Sequence, residues 1–280
     1  MYRNVVGLIE CGVPFAEQAR LMKEVGWEGA FFCWDENSDN AAIAGCIKDA
    51  GLFLQSVHAP FGKMDRIWEA EEEGFAEQEN LIGTVRGAAA LGAELVVMHA
   101  VIGMERVAPA EQERERALVR FGRIFDAAEE AGVVVAVENT EGEGYLDAVL
   151  AEYGHRKNVK FCIDTGHEMC YNRSRDMIGR YKDNLYCTHL NDNLGMSGDK
   201  ITWTDDLHLL PFDGVADWAG IARRLKNAHY RGDFTYELNL FSKPGRHEND
   251  AYRAMPFKDY ISLAYARARK FRGLFDETNG

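Results

Sequence analysis

The chain has 280 residues, a formal net charge of −13, 46% hydrophobic and 28% charged residues. That length is long for one ordinary domain but normal for one α/β barrel, and the composition excludes a disordered chain. The acidity disfavours broad attraction to nucleic acid or to an anionic membrane surface.

No run of about 18 apolar residues is present, so no spanning helix is expected. The first residues, Met1-Tyr2-Arg3-Asn4, lead straight into an apolar run, with no signal-peptide pattern. The six cysteines are scattered without a CxxC pair. Cys162 and Cys187 fall inside apolar runs, which reads as reduced, buried thiols in a cytoplasmic protein.

Short apolar runs alternate with longer amphipathic stretches eight times. The expected strands are 5–9, 29–33, 53–58, 95–99, 133–138, 159–164, 185–190 and 233–238, each rich in Val, Ile, Leu and Phe as buried parallel strands require. The expected helices are 14–25, 40–50, 71–91, 110–131, 145–153, 175–181, 217–228 and 252–271. Five of them stop at a glycine: Gly26, Gly51, Gly92, Gly132 and Gly154. Eight such units predict a single TIM (β/α)₈ barrel over residues 1–280. No GxGxxG follows the first strand, which weakens a dinucleotide-binding alternative. The charge runs at 69–73 and 111–116 read as solvated helix faces.

Six of the eight strands carry a metal-ligand type of residue at or near the C-terminal end: His58, His99, Glu138, Asp164, His189 and Glu237. In such a barrel those ends form one ring around the mouth, so residues far apart in sequence converge. His167, Asp206 and His208 lie in adjoining loops. A single histidine or acid at a strand end is usually an ordinary hydrogen-bonded loop residue. Here five of the eight histidines fall in the ring, with acids at matching positions, and a divalent metal ion is the better reading. His155, His229 and His247 fall outside it and need no role.

At these residues the chain resembles the xylose-isomerase-like TIM barrel superfamily, which includes sugar phosphate isomerases/epimerases and endonuclease IV. The resemblance runs from the first strand to the last. It rests on SVHAPFG at 56–62, VVMHA at 96–100, VAVENTEG at 135–142, FCIDTGH at 161–167, THLNDN at 188–193, DLHLLPFDG at 206–214 and TYELN at 235–239. For the epimerase-like members it implies one metal on Glu138, Asp164, His189 and Glu237, with Glu138 and Glu237 doubling as catalytic acid and base. For the endonuclease-like members it implies three metals, the others using His58, His99 and Glu138, and His167, Asp206 and His208. All nine positions match, so the ligand set alone does not choose between the chemistries.

The resemblance implies a metal-dependent isomerase or epimerase of a sugar, sugar phosphate or polyol. The metal would polarise a carbonyl and stabilise an enediolate while the glutamates move a proton. His58, His99, His167, Asp206 and His208 would then bind substrate or an additional metal. Mixed carboxylate and imidazole ligands suit manganese, cobalt, magnesium or zinc. Phe32, Trp34, Phe61 and Phe241 are candidates to pack on a sugar's apolar face. Lys63, Arg66, Lys243 and Arg246 are candidates to hold a phosphate.

Ketose 3-epimerases of this superfamily place an arginine six residues after the metal histidine and a glutamate six residues after the first catalytic glutamate. This chain has Gly195 and Gly144 there. That departure argues against a free-ketose 3-epimerase and leaves isomerase, epimerase and dehydratase chemistry open. A three-metal phosphodiesterase acting on abasic DNA is the first alternative, disfavoured by the acids in the loops at 10–14 and 34–40. A non-catalytic ligand-binding barrel is the second, disfavoured by intact Glu138 and Glu237. The expected partner is a small sugar or polyol, not a membrane, and a homo-oligomer is compatible with this reading.

Overall fold

The computed structural model describes residues 2–102, 104 and 106–278, the side chain of Glu71 excepted. Positions 1, 103, 105, 279 and 280 of the single domain expected over 1–280 lie outside the described residues. Eight parallel strands form one sheet: β1 (Asn4–Gly7), β2 (Gly29–Cys33), β3 (Phe53–His58), β4 (Leu95–His99), β5 (Val134–Glu138), β6 (Val159–Asp164), β7 (Leu185–His189) and β8 (Phe234–Tyr236). The hydrogen-bonded order runs from β7 down to β1 and then β8. The TIM barrel expected from the sequence is the fold.

The ladder from β7 to β8 is thin. It consists of a bridge between Leu190 and Tyr236, with the Leu190 N–H donating to Thr235 O at 2.7 Å. The Thr188 hydroxyl supplements it, accepting from Thr235 N at 3.1 Å and reaching Asp233 O at 3.3 Å.

Around the sheet lie α1 (Phe15–Val25), α2 (Asn40–Asp49), α3 (Glu71–Ala90), α4 (Glu111–Ala131), α5 (Glu143–Tyr153), α6 (Thr165–Cys170), α7 (Met177–Arg180), α8 (Trp218–Asn227), α9 (Asp250–Arg253) and α10 (Phe257–Glu277). The main core fills the layer between strands and helices, with Trp27, Trp68, Phe121, Phe161 and Phe271 fully buried. A smaller core of Leu95, Val97, Ala136, Cys162 and Cys187 forms a separate cluster among the strands. Cys162 and Cys187 are register partners on β6 and β7, and both are free thiols.

Local chemistry sets most element ends. Asp39 and Asp217 cap α2 and α8 by accepting from Ala42 N and Gly220 N. Gly26, Gly51, Gly92 and Gly132 turn the chain with positive φ, as a helix exit asks. Gly154 does not. Its φ is −62°, and its N–H continues the helix by bonding Leu150 O.

Two expectations change. The helix expected at 252–271 is two helices, because Pro256 has no N–H to donate and disfavours helix at Met255 before it. The segment after Asp164, read as loop, begins with the one-and-a-half turns of α6, because the Asp164 carboxylate caps it by accepting from His167 N at 2.6 Å. Smaller shifts fall at strand ends: β1 starts at Asn4 and stops at Gly7, and β8 ends at Tyr236, one residue before Glu237. In the charge runs, Glu72, Glu73, Glu111 and Glu115 are solvent-exposed, as solvated faces require.

Candidate metal centre

Parallel register brings the ring residues to a common height. His99 pairs with Glu138 across β4 and β5, and Asp164 pairs with His189 across β6 and β7. Cys33 pairs with His58 across β2 and β3. Glu237 enters from just beyond β8. Glu138, Asp164, His189 and Glu237 each offer one ligand atom within 4.8 Å of the others.

The contacts converge on one nitrogen. His189 Nδ1 lies 3.0 Å from Glu138 Oε1 and 2.9 Å from Glu237 Oε2. A ring nitrogen carries at most one proton and cannot donate well to two carboxylates at once. Three carboxylates this close, two of them buried, repel one another unless a cation lies among them. The donor set, three oxygens and an imidazole nitrogen, therefore fits a divalent metal such as manganese, cobalt, magnesium or zinc.

Two further groups adjoin it. His58 Nε2 is 3.2 Å and His99 Nε2 3.4 Å from Glu138 Oε2. His58, Glu138 and His189 also satisfy the 4.8 Å condition, as do His167, Asp206 and His208. In the latter, Asp206 lies 3.5 Å from His167 Nε2 and 3.0 Å from His208 Nε2. His208 holds a left-handed backbone, φ 50°, and its Nδ1 lies 3.1 Å from Glu237 O. All nine residues singled out in the sequence thus meet at the C-terminal mouth of the barrel.

Without a metal, the charges arrange themselves as ion pairs. Burial opposes protonation of His189, but Glu138 and Glu237 outweigh it and hold the imidazole well above its usual range. Burial alone would raise Glu237, yet His189 brings it down to about 2. Asp164 is pushed up to about 6 by burial, with His167 opposing. His208 rises to about 9 because Asp206 overcomes burial. His99, where burial dominates, is lowered.

The sequence did not reveal the supporting shell. Asn191 donates to Asp164 Oδ2 at 2.7 Å, and Asn139 accepts from Asp164 N at 2.7 Å. Phe31 stacks on the His189 ring. Asp192 anchors the loop that carries Asp206 and His208: its carboxylate accepts from Phe212 N, Ala216 N and Trp218 Nε1 at 2.8–3.0 Å. The motif THLNDN contains both Asn191 and Asp192, and that clustering of side-chain donors and acceptors was the available signal.

Other candidates sort themselves by position. Phe32 and Phe61 line the mouth, as do Trp203 and Tyr171. Trp34 lies against Gly87 of α3, and Phe241 lies under the Arg253 guanidinium, so neither faces the two main chambers of the mouth. Lys63 pairs with Glu36, Arg246 with Asp205 and Glu248, and Lys243 lies 3.4 Å from Asp206. Arg66 is exposed and lines neither chamber. At Gly144 a Cβ would meet Ala108 at 2.5 Å, so the glutamate of the ketose 3-epimerases has no room there, whereas Gly195 faces open space.

The model of the xylose isomerase-like TIM barrel family matches residues 19–255. The uncharacterized protein y4fM of Sinorhizobium fredii is 30% identical over 223 residues, 69% of either chain. The fold is shared with 3-keto-D-glucoside 4-epimerase YcjR from E. coli, 18% identical over 96% of this chain and 100% of that one, TM-score 0.70. It is shared with an L-ribulose 3-epimerase, 17% identical over 99% and 95%, TM-score 0.72. The D-allulose 3-epimerase from Methylomonas sp., solved in complex with D-allulose, is 16% identical over 96% of each chain, TM-score 0.70. With more than half its length matched and the whole barrel in place, the chain belongs to the xylose isomerase-like TIM barrel family.

Proposed function

We propose that this chain is a metal-dependent isomerase or epimerase of a sugar or related polyol. The observation that carries the reading is the pair of carboxylates, Glu138 and Glu237, brought to the two sides of His189 Nδ1 at 3.0 and 2.9 Å. The sugar epimerases that share the fold support it. A divalent cation bound by Glu138, Asp164, His189 and Glu237 would supply Lewis-acid polarisation of the substrate carbonyl.

The chain's own groups do the rest. Glu237 is the member of the four that reaches the open mouth, with its side chain 22% exposed, so it takes the proton from the carbon beside the carbonyl. Glu138, wholly buried, stands across His189 Nδ1 from it as the second carboxylate of the proposed acid/base pair. His58, His167 and His208 line the mouth and hold substrate hydroxyls. Asn191 and Asn139 keep Asp164 in place.

The test is proton exchange. Ketoses, aldoses, inositols and their phosphates are incubated with metal-loaded protein in deuterated water. Deuterium entering at a carbon next to a carbonyl supports the reading. Turnover of a substrate without such exchange, or no exchange with any sugar class, refutes it.

A further inference from the structure

The mouth is divided. Two chambers open on it and share a wall built from Phe61, Asp206, His208, Glu237 and Lys243. The smaller, about 180 Å³, carries His58, His99, His167 and Thr140, a set of polar groups able to hold the hydroxyls of one sugar ring. The larger, about 360 Å³, combines apolar and polar groups. Leu8, Phe15, Phe32, Ile43 and Leu238 form its wall, with Asp35 and Asn239 among its polar members. A single ring turning over against Glu237 occupies the first chamber and leaves the second without a use.

The geometry points to an uncharged sugar that carries a second unit: the reacting ring sits in the smaller chamber, and a glycosyl or comparable substituent fills the larger one. This rests on the sugar isomerase/epimerase reading above. A wall that mixes apolar side chains with Glu10, Asp35, Ser38 and Asn239 suits a second sugar ring, which is apolar on its faces and polar at its edge. The charge pattern excludes phosphate as that substituent. Glu10 and Asp35 line the larger chamber beside Asp206 and Glu237. Among the described residues its lysine and arginine content is Lys243, whose Nζ already lies 3.4 Å from Asp206 and over the Trp203 ring. A doubly charged group entering there meets mostly carboxylates.

Binding of matched probes to the manganese-loaded protein decides the matter. D-Fructose is compared by calorimetry with isomaltulose, turanose and lactulose, which carry a second hexose on different oxygens of fructose, and with fructose 6-phosphate. At least one disaccharide should bind ten-fold or more tighter than fructose, and the phosphate should bind no tighter than fructose. Ile43→Trp, which fills the larger chamber, should bring the disaccharide-to-fructose ratio close to one. If that variant does not fold, the wild-type series still decides. Disaccharides that all bind no tighter than fructose, or do not bind, overturn the inference, as does fructose 6-phosphate binding the tightest. Deuterium incorporation into the same probes separates the two claims. Exchange without a disaccharide preference sinks the second unit alone, and a disaccharide preference without exchange sinks the reaction alone.

Discussion

The ring of Phe31 lies flat on the imidazole of His189, centroids 5.2 Å apart and planes 12° from parallel. Gly7 on the neighbouring strand makes room for it, since a Cβ there would meet the Phe31 ring at 2.8 Å. The stack fixes the plane of His189 and so aims Nδ1 between Glu138 and Glu237. Phe31→Ala should cost about 3 kcal/mol of stability from the buried volume removed. It should also weaken metal binding about ten-fold through the freed imidazole. Denaturant unfolding and a metal titration measure the two effects. Unchanged metal affinity would show that His189 needs no such support.

Glu237→Gln keeps the shape of the side chain but removes the proton acceptor. Exchange of the substrate proton should fall by about 10³-fold, with the fold retained. Normal turnover by this variant would remove Glu237 from the mechanism.

Asp192 is fully buried and accepts hydrogen bonds from four donors, including the Trp218 indole. Asp192→Ala leaves those donors unsatisfied and should cost about 3 kcal/mol or more. The loop bearing Asp206 and His208 should loosen with it. Faster hydrogen exchange at 206–212 is the specific sign, and a stability loss without it would point to a local defect.

In metal-free protein His208 is raised to about 9 by Asp206 against the opposing effect of burial. A raised imidazole stabilises the fold fully below its unfolded value near 6.5, and the contribution fades as pH climbs through about 9. Chelated protein should therefore lose about 3 kcal/mol between pH 6.5 and 9.5 from this group. Asp206→Asn should flatten that slope. An equally steep profile in the variant would assign the titration elsewhere.

Metal analysis of protein purified without chelator should give about one divalent ion per chain, held by the four-ligand group. Three zinc ions per chain would occupy the two histidine-rich groups as well. That result would favour hydrolysis of a phosphodiester over sugar chemistry.

The barrel was legible in the sequence because each strand is a short apolar run and each helix a separate period. Six of the nine ring residues were legible because strand ends are where this fold places chemistry, and His167, Asp206 and His208 because they lie in the loops that adjoin those ends. What escaped reading acts across the chain or through a second role. Asp164 also caps α6, so a helix begins where its motif reads as loop. Phe31 reads as an ordinary buried strand residue, and only the register of β1 against β2 shows why Gly7 faces it. Trp34 and Phe241 are aromatic and near strand ends, but the chain turns both away from the two main chambers.

The thin joint of the barrel has a further meaning. β7 brings His189 and the chain just past β8 brings Glu237, so these two donors stand on opposite banks of the one gap that the ladder barely spans. A cation gripped by both would be a rivet through that gap. Loading the site and keeping the cylinder shut would then be a single event, and opening of the β7–β8 seam the motion that loss of the ion would release.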